Sequence, residues 1–359
     1  MTYDFLVIGG GIAGTSAGAA LTALGSVCLL EAEQALAYHT SGRSAALYEA
    51  QYGLPSTTAL NRASREVHET LDGGMLSPRG LMLLAAAGDE DAFEIDVRKM
   101  HLDRLSPAEA QDMVPILDTG HIIAAAHHAD AWDIDTDRMV QVFARQIRAN
   151  GTVQTGASVT DIARTATGWT VTAGNATHDA RVLVNAAGSW ADSIATMAGI
   201  APLGLMPLRR SMARMPAPGG HDVSGWPMLF GVGESWYAKA DAGAWLVSPA
   251  EEDPVDQPHD AYADDMVLAE GIARYQPFVT EEVTRVTSTW AGLRTFAPDR
   301  NLVIGPDPAD PSFLWTAGQG GYGFQTAPAA AALLADLAGG RTPVLDAETV
   351  AQLSPSRFR

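Results

Sequence analysis

The chain has 359 residues, 42 acidic against 23 basic side chains for a net charge of −19, one cysteine, and 47% hydrophobic residues. That length suggests two domains, or one with a long insertion, and 35 glycines with only 18% charged residues fit a tightly turned globular enzyme rather than a disordered chain. With Lys99 and Lys239 as the only lysines there is little to neutralise nucleic-acid phosphates or an anionic membrane surface, and the lone Cys28 leaves no disulfide framework or thiolate-rich metal site.

Met1-Thr2-Tyr3-Asp4 carries no basic region ahead of the apolar run Phe5–Ile8, which is too short for a signal-peptide core, so a cytoplasmic location is expected. Asp4–Ile8 is predicted as a buried strand because its apolar run is continuous. Gly9-Gly10-Gly11-Ile12-Ala13-Gly14 follows, then a small-residue helix from about Ile12 to Leu24 that stops at Gly25. A second strand, Val27–Leu30, closes on Glu31 and completes a βαβ unit. In that setting Gly9, Gly11 and Gly14 satisfy G-x-G-x-x-G. The first permits a tight turn, the second lets the backbone approach a pyrophosphate, and the third lets the helix lie close on the strand. Glu31, roughly twenty residues past the triplet, stands where a carboxylate accepts ribose hydroxyls, which argues against a 2′-phosphorylated cofactor.

Further along, Asp133-Ile134-Asp135-Thr136-Asp137 opens a predicted helix running to about Ala149, stopped by Asn150-Gly151. The acid spacing imitates a calcium loop, but Arg138 and Ala144 replace the glycine and glutamate such a loop needs, so helix N-capping is the reading adopted. His127 and His128 are read as surface or interface residues, because adjacent side chains on a strand point apart. Strands are expected at Val153–Val159, Trp169–Ala173 and Val182–Val184, the last running into Asn185-Ala186-Ala187-Gly188. Pro202–Pro258, rich in Pro, Gly, Trp and Met, reads as a second, β-rich domain. Asn301–Gly305 and Phe313–Ala317 read as strands returning to the first, followed by the glycine loop Gly318–Gly323 and a last, alanine-rich helix. That helix is too short, and too interrupted by Pro328 and Asp336, to span a bilayer. The glycosylation patterns at Asn150 and Asn175 are taken as chance matches.

The expected fold is therefore α/β, a Rossmann-like nucleotide-binding domain with a second β-rich substrate domain. The first is assigned residues 1–80, 135–200 and 295–359, the second residues 81–134 and 201–294. The glycine fingerprint serves NAD and FAD alike. The second glycine-rich loop, Gly318–Gly323, favours FAD, because the dipole of the helix it feeds can stabilise negative charge on a reduced flavin.

His39-Thr40-Ser41-Gly42-Arg43-Ser44-Ala45-Ala46 resembles the flavin-contacting segment of the D-amino acid oxidase (DAO) superfamily, and more narrowly that of bacterial FAD-dependent D-arginine dehydrogenases. The resemblance runs through Leu76–Arg79, Asp133–Asp137, Val184–Gly188, Pro207–Ser211, Trp226–Leu229, Trp290–Arg294 and Gln319–Gly323 in order. It implies an FAD domain, with cofactor held non-covalently, joined to a substrate domain. It also implies hydride transfer from an amine-bearing carbon to flavin N5, giving an imine that hydrolyses to a 2-oxo acid. A flavin tether at Cys28 or His39 is not expected. Besides Gly9, Gly11, Gly14 and Glu31, the cofactor residues implied are Arg43, Ser44, Ala45, Val159, Ala187, Gly188, Gly318, Gly320, Gly321, Tyr322 and Gly323.

By the same resemblance Arg210 and Arg294 grip a substrate carboxylate, a task suited to planar, permanently charged guanidiniums, with Arg209 standing in if the register slips by one. Tyr52 and Tyr237 line the pocket, Tyr322 is a weaker candidate, and the Gly321 carbonyl accepts a hydrogen bond from the substrate amine. The sequence departs from the relative at three pocket positions. Leu47 replaces an active-site histidine, Leu81 replaces the glutamate that pairs with a substrate guanidinium, and Glu49 replaces a threonine. A leucine cannot compensate a buried cation, so D-arginine is not expected and an apolar D-amino acid is. Glu49 is read either as a pocket carboxylate or as a solvated helix residue.

Oxidation of a secondary amine or imino acid, such as an N-methyl amino acid or proline derivative, stays open beside this reading. So do oxidation of a 2-hydroxy acid and a catalytically silent flavin-binding protein. Oxygen and a quinone both stand as electron acceptors.

Overall fold

The strand Thr2–Ile8 lies inside an eight-stranded sheet, parallel to Val27–Leu30 on one side and to Ala176–Asn185 on the other. The computed structural model that shows this describes residues 2–359. Val27–Leu30 continues in parallel to Gly151–Gln154, and Ala176–Asn185 to Phe313–Ala317. Parallel strands are covered on both faces, which is why Phe5–Ile8, Val27–Leu30 and Val182–Val184 read as unbroken apolar runs. Val7 and Leu29 join a core with the helices Ile12–Leu21, Thr136–Asn150 and Gly323–Ala338, while Leu6, Cys28 and Leu30 face a second core containing Trp169, Val171 and Trp315.

A nine-stranded, mostly antiparallel sheet draws on two separate stretches of chain. Met206–Pro216 pairs with Ser288–Phe296 along one edge and with Ala244–Ser248 on the other, and Tyr237–Asp241 and Met228–Gly231 follow. Met228–Gly231 then pairs in parallel with Leu81–Ala85, which carries Ala124–His128 and Asp103–Leu105 beyond it. A three-stranded sheet of Leu47–Glu49, Ala131–Ile134 and Leu76–Pro78 bridges the two.

Three predicted elements shift. The strand expected at Val153–Val159 is two, Gly151–Gln154 and Val159–Arg164, with the chain between them outside any strand. The first helix ends at Leu21, and Thr22–Gly25 form turns instead of continuing it. The aspartate run divides: Asp135 caps the helix Thr136–Asn150 by accepting from the Arg138 N–H at 3.1 Å, but Asp133 belongs to the preceding strand. Its carboxylate instead receives Arg79 and Lys239, each at 2.5 Å. Among the described residues no helix is long and apolar enough to cross a membrane.

Candidate active site

The glycine turn is set by contact. A Cβ on Gly14 would fall 1.9 Å from the Gly9 carbonyl oxygen, and Gly9 itself sits at φ +113°, so both positions exclude a side chain. The helix Ile12–Leu21 thereby points its N-terminus into a trough formed by two joined clefts of about 1190 and 940 Å³. Gly11, Thr40, Ser41, Ala186 and Gly188 line both, so the junction lies at that helix end, where an anion is favoured. Ser41 closes over it, its Oγ accepting from the Ile12 N–H at 3.0 Å.

The larger cleft runs past Glu31, Val159, Ala187 and Gly188; the other ends among Arg43, Ser44, Ala45, Gly320, Gly321 and Gly323. Both Glu31 oxygens already accept backbone N–H groups, from Gly10 at 2.6 Å and Glu33 at 2.8 Å, and each keeps a lone pair for a ribose hydroxyl. Gly14 and Gly318 act through backbone packing and line neither cleft. The Arg43 guanidinium turns outward to the Ala261 and Ala291 carbonyls and to Asp260. Small residues, a helix N-terminus and an acid at one end give the trough the shape and chemistry of a dinucleotide site, so FAD fits the residues present. Cys28 is buried within its strand, and His39 lines the Glu31 half of the trough, away from Gly320.

A third cleft of about 520 Å³ opens from the Gly320 end and shares Ser44–Leu47, Tyr237, Arg294, Gly321 and Gln325 with it. Arg210 and Arg294 reach this region from neighbouring antiparallel strands. Arg210 stands opposite Gly292, so Arg294 is its diagonal neighbour. Strand alternation sends Arg209 to the other face, where it meets Asp253 at 2.8 Å, and the one-residue slip does not occur. Leu47, Glu49, Tyr52, Leu81 and Tyr237 also line the third cleft. Tyr322 stands behind Tyr52, ring centroids 5.2 Å apart, and a Cβ on Gly321 would touch the Arg294 Nη1 at 2.9 Å.

Sequence reasoning missed Glu234, on which the site converges. Its Oε1 lies 3.0 Å from Arg210 Nη1 and 3.7 Å from Arg294 Nη1, and Oε2 accepts the Tyr52 O–H at 2.7 Å. Desolvation alone would raise the Glu234 pKa, but Arg294, Arg210 and Tyr52 outweigh it and hold the carboxyl below the ordinary glutamate value. Burial and that same carboxylate push the Tyr52 phenol well up. The only signal in sequence was position: Glu234 follows Gly233 in a turn, and both adopt left-handed φ, +66° and +57°.

Two further buried charges stand beside this cluster. Glu49 sits on a strand, not a helix, and is 2% exposed; its Oε2 lies 2.6 Å from His128 Nε2, so His128 is no plain surface residue. Lys239, also buried, donates to the Ala45 carbonyl at 2.8 Å as well as to Asp133, which pins the segment shared by the second and third clefts. Burial pulls the Lys239 pKa down, and Asp133 offsets only part of that.

The profile of the family "FAD dependent oxidoreductase" (DAO) matches residues 4–337. FAD-dependent oxidoreductase domain-containing protein 1 of Mus musculus is 24% identical over 398 residues, covering 93% of this chain and 80% of that protein. Glycine oxidase from Geobacillus kaustophilus superposes with a TM-score of 0.84 at 20% identity, covering 100% of this chain and 99% of its own. L-alpha-glycerophosphate oxidase from Mycoplasma pneumoniae, solved with FAD bound, gives 0.85 at 20% identity, with 94% and 95% covered. At such identities the structures establish a shared fold, and the family match establishes the cofactor class.

Proposed function

This chain belongs to the DAO family of FAD-dependent oxidoreductases, and we propose that it oxidises an amino acid at its amine-bearing carbon, with an apolar D-amino acid as the preferred form. The observation that carries this reading is the meeting of Arg210, Arg294 and Tyr52 on one carboxylate, that of Glu234. Guanidiniums and a phenol so arranged select a carboxylate, and a substrate carboxylate entering the cleft competes with Glu234 for them.

Bound FAD supplies the two-electron acceptor for the hydride leaving the substrate carbon. Everything else falls to the chain. Arg210 and Arg294 anchor the carboxylate, and the carbonyl of Gly321, a residue whose Cβ position faces Arg294, accepts an amine N–H, so the carbon between them has one orientation. The nitrogen gives up a proton to solvent as the C=N bond forms, and water then splits the imine into a 2-oxo acid and ammonia. Leu47, Leu81, Met228 and Phe230 wall the remaining space, which suits an apolar side chain. A guanidinium there would meet Leu81, and while Glu49 is committed to His128 it would stay unpaired at a cost of several kcal/mol, on the order expected for a buried ion, which disfavours D-arginine.

The test is anaerobic mixing of flavin-loaded protein with D-amino acids, their L-enantiomers, N-methyl and cyclic amino acids, and 2-hydroxy acids. Bleaching of the oxidised flavin band by apolar D-amino acids is expected. Bleaching confined to 2-hydroxy acids, or none at all, would overturn the reading, and bleaching confined to N-methyl or cyclic members would move it to secondary amines.

A further inference from the structure

The third cleft carries one charge pair that carboxylate capture does not use. Glu49 lies in its wall among Leu47, Leu81, Met228 and Phe230, and His128 reaches it from a different sheet, standing opposite Leu81 in the pairing of Leu81–Ala85 with Ala124–His128. The carboxylate is otherwise held by one backbone donor, the Gln51 N–H at 2.9 Å on Oε1, so His128 is its only charged partner within 4.0 Å among the described residues. We propose that the Glu49–His128 pair sets the charge preference of the substrate pocket: with the imidazole protonated the wall is neutral and takes an uncharged side chain, and with the imidazole neutral or removed the same wall takes a cationic one. The inference rests on the amine-oxidation reading above and extends it to the far end of the substrate.

The physical argument is one of compensation. A carboxylate almost wholly removed from water is tolerable only beside a cation, and the nearest available one is the imidazolium. Burial pulls the His128 pKa down, but the Glu49 carboxylate, with Asp130 and Asp103 beyond it, outweighs that and raises it above the ordinary histidine value. Other charged or titratable groups surround the pair. His127 follows on the same strand, Asp103 lies on the adjoining one, and Asp130 is tied to Arg65 at 3.0 Å from the helix Pro55–Thr70. Tyr48 neighbours Glu49 on its own strand, and Tyr52 and Glu234 line the same cleft. The His128 side chain is 15% exposed, so a proton can leave it for solvent while Glu49 stays enclosed.

D-Norleucine and D-lysine make the comparison direct, since they differ by one terminal ammonium and share the reacting end. Titration of the α-amine cancels in the ratio of their kcat/KM values. That ratio, lysine over norleucine, is expected to rise at least tenfold between pH 6 and pH 9 in the wild type. In His128→Leu it should be high already at pH 6, and in Glu49→Gln low at both. Binding of hexanoate and 6-aminohexanoate, read from perturbation of the flavin absorption band, gives the same ratio without turnover, and the wild-type pH series gives it without any variant. If norleucine is oxidised but the ratios move less than twofold with pH and in both variants, the pair does not set charge preference and the proposal falls alone. If no amine reduces the flavin and neither carboxylate perturbs it, the amine-oxidation reading falls and takes the proposal with it.

Discussion

The cofactor trough and the substrate cleft adjoin one another but are built from opposite materials. The trough is lined largely by backbone and small residues, Gly9, Gly11, Ala186 and Gly188 among them, and by a helix end whose seat Gly14 makes possible, with Glu31 at its far end. The cleft is built around buried charge: Arg294, Glu234 and Glu49 line a space of about 520 Å³ together with the Tyr52 phenol, and Arg210 reaches Glu234 from the adjoining cleft. Backbone shape tolerates no added atom but needs no compensation. Buried charge tolerates some reshaping but fails when one partner is lost. Damage to the first should therefore abolish FAD retention, and damage to the second should leave a loaded but impaired enzyme.

The largest effect should come from Gly14→Val, which forces a side chain into the Gly9 carbonyl. Purified protein is expected to lack the flavin absorption band, and a yellow, fully loaded variant would break the contrast. Next, Arg294→Ala should keep FAD yet raise KM by about 100-fold, the scale for removing one partner of a buried charge cluster; an unchanged KM would remove Arg294 from carboxylate binding. Gly321→Ala is milder. Its methyl meets the Arg294 guanidinium, and a rise in KM of about tenfold with FAD content intact is expected from a small misplacement. Smallest is the pH dependence of stability. His128, with its raised pKa, stabilises the fold below the unfolded value of about 6.5, and that contribution fades as pH climbs through the raised folded one. Glu234, held low, contributes above the ordinary glutamate value and loses it as pH falls through the lowered one. Melting temperature should therefore decline by about 2 °C on each side, and His128→Leu should flatten only the alkaline limb.

The same contrast explains what the sequence made legible. Strand, glycine triplet, helix, strand and acid lie within residues 4–31, so a local pattern carries both the βαβ unit and the trough's helix end. Arg210 against Arg209 needed only strand alternation once the strand was known. Glu234 was invisible because nothing near it in sequence announces a carboxylate among arginines. Its partners lie 24, 60 and 182 positions away, and only the folded sheet and the turn at Gly233 bring them together. The pairing of Glu49 with His128 was hidden likewise, Glu49 being read as a pocket carboxylate or a solvated helix residue and His128 as a surface or interface one, because it crosses from the three-stranded sheet to the nine-stranded one. Asp133 was misread through a local spacing that held for Asp135 and failed for its neighbour.

The interleaving of the sheets bears on how the molecule is made. Ala176–Asn185 waits for Phe313–Ala317 as its outer parallel partner, the helix Ile12–Leu21 lies against Gly323–Ala338, and Leu81–Ala85 finds its partner at Met228–Gly231. Pairings so distant in sequence close large loops before they return any stabilisation. The N-terminal glycine turn therefore leaves the ribosome long before the surfaces that complete its trough exist. Cofactor capture is then a late event in biosynthesis, and chains truncated before residue 313 should be born unable to retain it.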